Sequence, residues 1–228
     1  MNPALTMTRR IAQLLVGLFF YGIAIALMVH AGIGVAPWDV LTQGIAHQTG
    51  LPFGILTNII GIGVLLLWIP IKQKPGIGTV LNVLLIGPSA ELGLALIPAP
   101  EGIVLQVAYF AGGLALLAIA TGLYIGARFG PGPRDGLMTG IHRRFGWKIW
   151  IVRTAIEVTV LTVGWVLGGN VGLGTLAFAL LIGPMVNVTL PLLLVPAALS
   201  KEVREEVTPC SSCPCSRSRC GRSSRRSS

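Results

Sequence analysis

Several polar side chains fall where an apolar chain would be expected to keep leucine. Glu157 sits in the middle of an apolar run, with Arg153 four residues before it. That spacing puts both on one face of a helix, where they can form an ion pair. A charge at the centre of a bilayer costs about 2.5–3.5 kcal/mol on insertion scales. The pair therefore reads either as mutual neutralisation or as a Glu157 carboxyl poised to bind a cation or carry a proton. Asp39 and Asp135 lie at corresponding places in two near-copies of one motif, GIGVAPWDVLTQGI at 32–45 and RFGPGPRDGLMTGI at 128–141. Glu91 and Asn187 each follow a proline, Pro88 or Pro184, by three residues. They read as interhelical hydrogen-bonding groups or as ligands of a site between the helices. The candidate substrate- or ion-binding set is Asp39, Asp135, Glu91, Arg153, Glu157 and Asn187, with Pro88 and Pro184 as helix breaks. Asn58 and Asn82 are weaker candidates and fit helix–helix packing better. His30 has no histidine counterpart in the second motif copy and is poor evidence for a proton relay. No G-x-S-x-G, no H-E-x-x-H and no in-span His–Asp pair occurs, so no catalytic residue, metal ligand or cofactor is assigned, and the protein is not expected to be an enzyme.

The elements that must position these groups are membrane spans. The chain of 228 residues is 53% apolar and 11% charged, against about 25% charged in soluble domains. Apolar windows at roughly 11–30, 53–71, 79–98, 103–126, 150–168 and 173–197 are each long enough to cross a hydrocarbon core about 30 Å thick. The first follows Arg9 and Arg10 as a signal peptide would, but it is longer than a signal core of about 7–15 residues. It reads as a retained helix. The formal charge of +9 sits in loops and tail without interleaved aromatics, which fits lipid head groups rather than nucleic acid.

Sliding the chain by 96 residues aligns 17–100 with 113–196 without a gap, and 28 of the 84 positions are identical. Gly34, Pro37, Asp39, Gly44 and Gly50 meet Gly130, Pro133, Asp135, Gly140 and Gly146, and LLIGP at 84–88 recurs at 180–184. Shared greasiness does not produce a match that includes glycine, proline and aspartate, so the chain reads as a duplication. Each copy holds three spans. An odd number inverts the second copy and relates the halves by a two-fold axis in the membrane plane. With the N-terminus in the cytoplasm, the inner segments carry Arg9, Arg10, Lys72, Lys74, Arg128, Arg134, Arg143, Arg144, Lys148 and the basic tail. Of the 17 Lys and Arg only Arg153 remains, just inside the fifth span, as the positive-inside rule requires.

The fold expected is thus all-α: a polytopic bundle of six transmembrane helices, two three-helix halves forming an inverted-topology repeat, each with a short interfacial or re-entrant helix. The organisation is a cytoplasmic N-terminus (1–10), repeat 1 (11–101), repeat 2 (102–200) and a disordered cytoplasmic tail (201–228). The short helices are signalled by apolar i, i+4, i+8 spacing after each aspartate. Asp39 or Asp135 would cap the N-terminus, and Gly50 or Gly146 would end the helix. The tail holds Cys210, Cys213, Cys215 and Cys220, whose spacing is not that of a standard zinc knuckle.

The stretches GIGVAPWDVLTQGI, PGIGTVLNVLLIG, GLYIGARFGPGPRDGLMTGIHRRFG, RTAIEVT and GTLAFALLIGP together resemble the YczE/YitT-type family of small bacterial integral membrane proteins, over about residues 10–197. The resemblance implies a multi-pass protein of the bacterial inner membrane and assigns no substrate, reaction or functional residue. The tail departs from the family pattern. Residues and resemblance together favour a small permease-like protein of unspecified substrate, with both termini cytoplasmic. The alternative is a non-transporting accessory protein that binds another protein through Arg143, Arg144 and Lys148. The partners expected are the lipid bilayer and a small molecule or ion, with homodimerisation as an option. Cysteines introduced as His47→Cys and Arg143→Cys, in a chain whose tail cysteines are serine, should label with an impermeant thiol reagent from opposite faces of the membrane; labelling from one face would refute the inversion.

Overall fold

Glycine, proline and long apolar runs dictate where helices begin, end and touch. The computed structural model describes residues 3–193, with side chains from Met7; the cysteine-bearing tail at 201–228 lies outside the described residues. The described chain is all helical: α1 (Pro3–Ala31), α2 (Pro37–Thr49), α3 (Phe53–Leu66), α4 (Trp68–Ile71), α5 (Ile77–Leu96), α6 (Ile103–Gly126), α7 (Pro133–Phe145), α8 (Ile149–Val166) and α9 (Leu173–Leu193). Six stretches are long and apolar enough to span a membrane: Met7–Ala31, Phe53–Ile71, Ile77–Leu96, Ile103–Gly126, Ile149–Val166 and Leu173–Leu193. They match the six apolar windows. The first helix starts at Pro3, inside the segment read as an N-terminal extension.

The long helices turn large apolar side chains outward: Ile55, Ile59 and Leu66 on α3, Leu84, Leu92 and Leu96 on α5, and Val158, Val163 and Val166 on α8 are exposed. Lipid is the solvent for such a surface. The interior is built instead on close approach of small residues. α1 packs on α5 and α6, and α6 on α9. A side chain at Gly17 would come within 2.9 Å of Leu123 Cβ and the Tyr124 amide, and one at the equivalent Gly113 within 2.8 Å of Met28 Cγ.

Contacts recur in pairs at equivalent positions. The amide of Gly78 donates to the Phe129 carbonyl (3.0 Å), and that of Gly174 to the Ile33 carbonyl (2.9 Å). Each half thus fastens the start of its third span to the loop that leads into the motif helix of the other. Gly34 and Gly130 hold φ of 121° and 125° in those loops, a region glycine enters without steric cost. α2 and α7 both carry proline in the first turn and end on a left-handed glycine, Gly50 and Gly146, each at φ 71°. The helix-stop expectation holds there. The capping expectation does not: neither N-terminus has a side-chain cap, because Asp39 and Asp135 lie inside the first turn and face other helices.

Pro88 and Pro184 also depart from expectation. Both sit within continuous helices, α5 and α9, on exposed faces. Each removes one hydrogen-bond donor without interrupting its helix.

The halves differ at the crossing of the second and third spans of each. α3 packs closely on α5: a Cβ at Gly87 would strike the Asn58 side chain and the Gly54 carbonyl, and the Gly54 amide donates to Glu91 Oε2 at 2.8 Å. The corresponding α8 and α9 lack comparable packing. Trp150 stands where the first half has Gly54 and is 65% exposed, and nothing lies within 4 Å of a Cβ at Gly183. Gly87→Ala should therefore cost about 1–3 kcal/mol by overpacking, whereas Gly183→Ala should be neutral or gain up to about 1 kcal/mol from helix propensity. Thermal unfolding of the two variants in detergent checks the contrast.

Candidate functional site

The motif helices place their first turns against one another. Trp38 on α2 and Arg134 on α7 are equivalent positions of the two halves, and the guanidinium lies 5.0 Å from the indole ring centroid. The same guanidinium lies 3.8 Å from Asp39 Oδ1, within ion-pair range but too far for a hydrogen bond. Asp39 is 1% exposed, and its Oδ1 has no hydrogen-bond partner. Burial pushes the Asp39 carboxyl up to about 6, with Arg134 acting in the opposite direction. On the next residue of α7, Asp135 Oδ2 accepts the Tyr124 hydroxyl at 2.9 Å, and Tyr124 meets Tyr21 edge-on at 5.9 Å. Trp68 Nε1 donates to the Pro133 carbonyl (3.1 Å) and so fixes the start of α7 to α4.

Tyr21, Trp38, Tyr124, Arg134 and Asp135 border a cavity of about 300 Å³. Its polar wall includes Arg134, Asp135, Tyr124 and Asn82; its apolar wall includes Ile60, Ile86, Phe178, Ile182 and Val186; Arg153 and Glu157 of α8 and Asn187 of α9 also line it. Of the residues singled out from sequence, Asp135, Arg153, Glu157 and Asn187 meet at this cavity. Asp39 lies behind it, joined through Arg134. Arg153 and Glu157 form the expected ion pair at 3.0 Å, with 51% and 30% of their side chains exposed. Glu91 does not reach the cavity; it holds the first turn of α3. His30 contacts the Leu94 carbonyl at 3.2 Å. Asn82, read as packing, lines the cavity. Tyr21, Trp38, Tyr124 and Arg134 were not singled out from sequence. The available signal was the replacement of Trp38 by Arg134 at equivalent positions of an otherwise repeated motif.

The comparisons with known proteins bear on this geometry. A family model described as a family of unknown function, DUF6198, matches residues 8–191. The chain belongs to the DUF6198 family. Its span in the chain takes in both motif helices and every cavity residue named above. An uncharacterised protein of Haemophilus influenzae is 39% identical over 78% of this chain and 82% of its own length. The uncharacterised membrane protein YczE of Bacillus subtilis is 32% identical over 77% of this chain and 82% of its own. YyaS, also of Bacillus subtilis, is 24% identical over 78% and 90%. No solved structure matches. The YczE match bears out the resemblance read from the motifs, and a multi-pass membrane protein is the reading that six apolar helices and this relative share.

Removing Arg134 would leave Asp39 as a buried uncompensated charge, a loss on the order of 3 kcal/mol. Arg134→Met should unfold at markedly lower temperature, and adding Asp39→Asn should recover most of the loss; a double-mutant cycle in detergent measures the coupling. The carboxyl is easier to protonate folded, at about 6, than at its ordinary 3.8. Its contribution to stability is thus complete below the lower value and lost as pH rises through the upper one. Asp39→Asn should flatten that decline.

Proposed function

We propose that this protein is a small permease of the bacterial inner membrane, built as two inverted three-span halves, with both termini cytoplasmic. It carries a solute through the cavity without chemical change. The observation that carries the reading is the cavity itself, beside the first turns of the motif helices, with α3 packed on α5 while α8 and α9 stand apart. Positions related by a two-fold axis approach each other only near that axis, and Trp38 and Arg134 are such positions, 5.0 Å apart. With inverted halves the axis lies in the membrane plane, so the cavity falls near the bilayer midplane. α2 and α7 are then re-entrant elements dipping in from opposite faces, tolerated because protein and cavity satisfy their ends.

Alternating access needs the two halves to hold different conformations and to exchange them. Tight α3–α5 packing beside parted α8 and α9 is such a difference. The alternative docking role for Arg143, Arg144 and Lys148 has less support. Phe145, Trp147 and Trp150 beside them are exposed, and aromatic rings with basic residues are the mark of a head-group belt.

The test needs no substrate. With tail cysteines replaced by serine, Thr154→Cys and Gly183→Cys can be joined across the α8–α9 gap by a disulfide. A third substitution, Met138→Cys on the cavity wall, then reports access to an impermeant thiol reagent in oriented vesicles. Labelling from one face before closure, and from the other face or neither after it, is the expected result. Labelling that ignores the disulfide would overturn the permease reading.

A further inference from the structure

Resting on the permease reading, we propose that the cavity takes a zwitterion: a small amino-acid-like solute whose carboxylate meets the Arg134 guanidinium and whose ammonium meets the Asp135 carboxylate. The two residues are neighbours on α7, and adjacent residues of a helix do not face each other. They are not within ion-pair distance of one another among the described residues. Arg134 makes no hydrogen bond among the described residues; its contacts are the Asp39 carboxylate at 3.8 Å and the Trp38 ring at 5.0 Å. Asp39 balances its charge without using its donors, and the indole lies over the guanidinium. What remains is a planar fork with open N–H groups at the cavity wall, the arrangement that receives a carboxylate in two parallel hydrogen bonds.

Asp135 presents the opposite need. It accepts the Tyr124 hydroxyl at 2.9 Å and has no cation within ion-pair reach among the described residues. Arg153, the other guanidinium at the cavity, is already paired with Glu157 at 3.0 Å.

The balance of charge points the same way. Asp39 and Asp135 carry two negative charges against one on Arg134. The N-terminal turns of α2 and α7, whose Pro37 and Pro133 also line the cavity, each add about half a positive charge. The site is near neutral as it stands. A lone cation or a lone anion would leave it charged in a medium where that is costly; a zwitterion would not. The opposite wall, with Phe178, Ile182 and Val186, suits an apolar side chain.

Binding to the purified full chain should be measured by calorimetry with L-leucine and L-phenylalanine, their amides, which lack the carboxylate, and their N-acetyl forms, which lack the ammonium. At least one free amino acid should bind about ten-fold or more tightly than both of its blocked forms. Asp135→Asn should erase the advantage over the N-acetyl form while leaving that form's own affinity unchanged. An amide or N-acetyl form that matches the free amino acid, or the absence of binding by all six, would overturn the proposal. Zwitterion binding in a protein whose Met138→Cys labelling ignores closure of the α8–α9 gap would leave this site standing and remove the permease reading instead.

Discussion

The Arg134 guanidinium is the point at which the two motif helices of this protein meet. It fills the space beside Trp38, its own counterpart in the duplication, and it is the only positive charge among the described residues within ion-pair reach of the buried Asp39. In an apolar medium such a carboxylate has no water to fall back on, so the register of α2 against α7 is tied to one contact. Everything that borders the cavity depends on that register. Trp68 fixes the start of α7, the α5 loop contacts fix the segment before it, and Tyr124 receives the aspartate that results.

The interior is held by closeness rather than by greasiness. Lipid solvates leucine as well as another leucine does, so burying large side chains gives little drive to helix association in a membrane. Glycine against backbone does better, and this chain uses it at its tight crossings: Gly22 on α5, Gly44 on Gly164, and Gly54 on Gly87. Where one glycine has become Trp150, the crossing is lost. The facing positions Asn58 and Glu91 differ too, as Thr154 and Asn187, and the opening beside the cavity lies at that altered crossing.

Much of this was legible in the sequence. The six spans were readable because apolar length has one meaning in a bilayer, and the motif helices because apolar spacing after each aspartate and a closing glycine mark them without help from tertiary context. The Arg153–Glu157 pair followed from helical spacing alone. Glu91 and Asn187 aligned in the duplication, yet one holds α3 and the other stands at the cavity; alignment gives position, and only the facing residue, Gly54 or Trp150, gives role. Asp39 and Asp135 read as caps because the first turn is where caps belong, while the groups that claim them, Arg134 and Tyr124, come from other elements or from across the two halves. Tyr21 and Tyr124 were invisible for a different reason. They occupy unmatched positions, and a tyrosine in an apolar run carries no spacing signal.

The steric exchange at the motif helices has a further consequence. At one contact between the halves Trp68 fills the hollow left by Gly136; at another, Gly164 leaves a hollow that Val40 and Leu41 cover. These are equivalent pairs with bump and recess traded. Two copies of the first half would press indole against valine, and two copies of the second would set glycine against glycine around a void. The two segments are complementary in the manner of a lock with a single key, and neither would fit a second copy of itself in the same way.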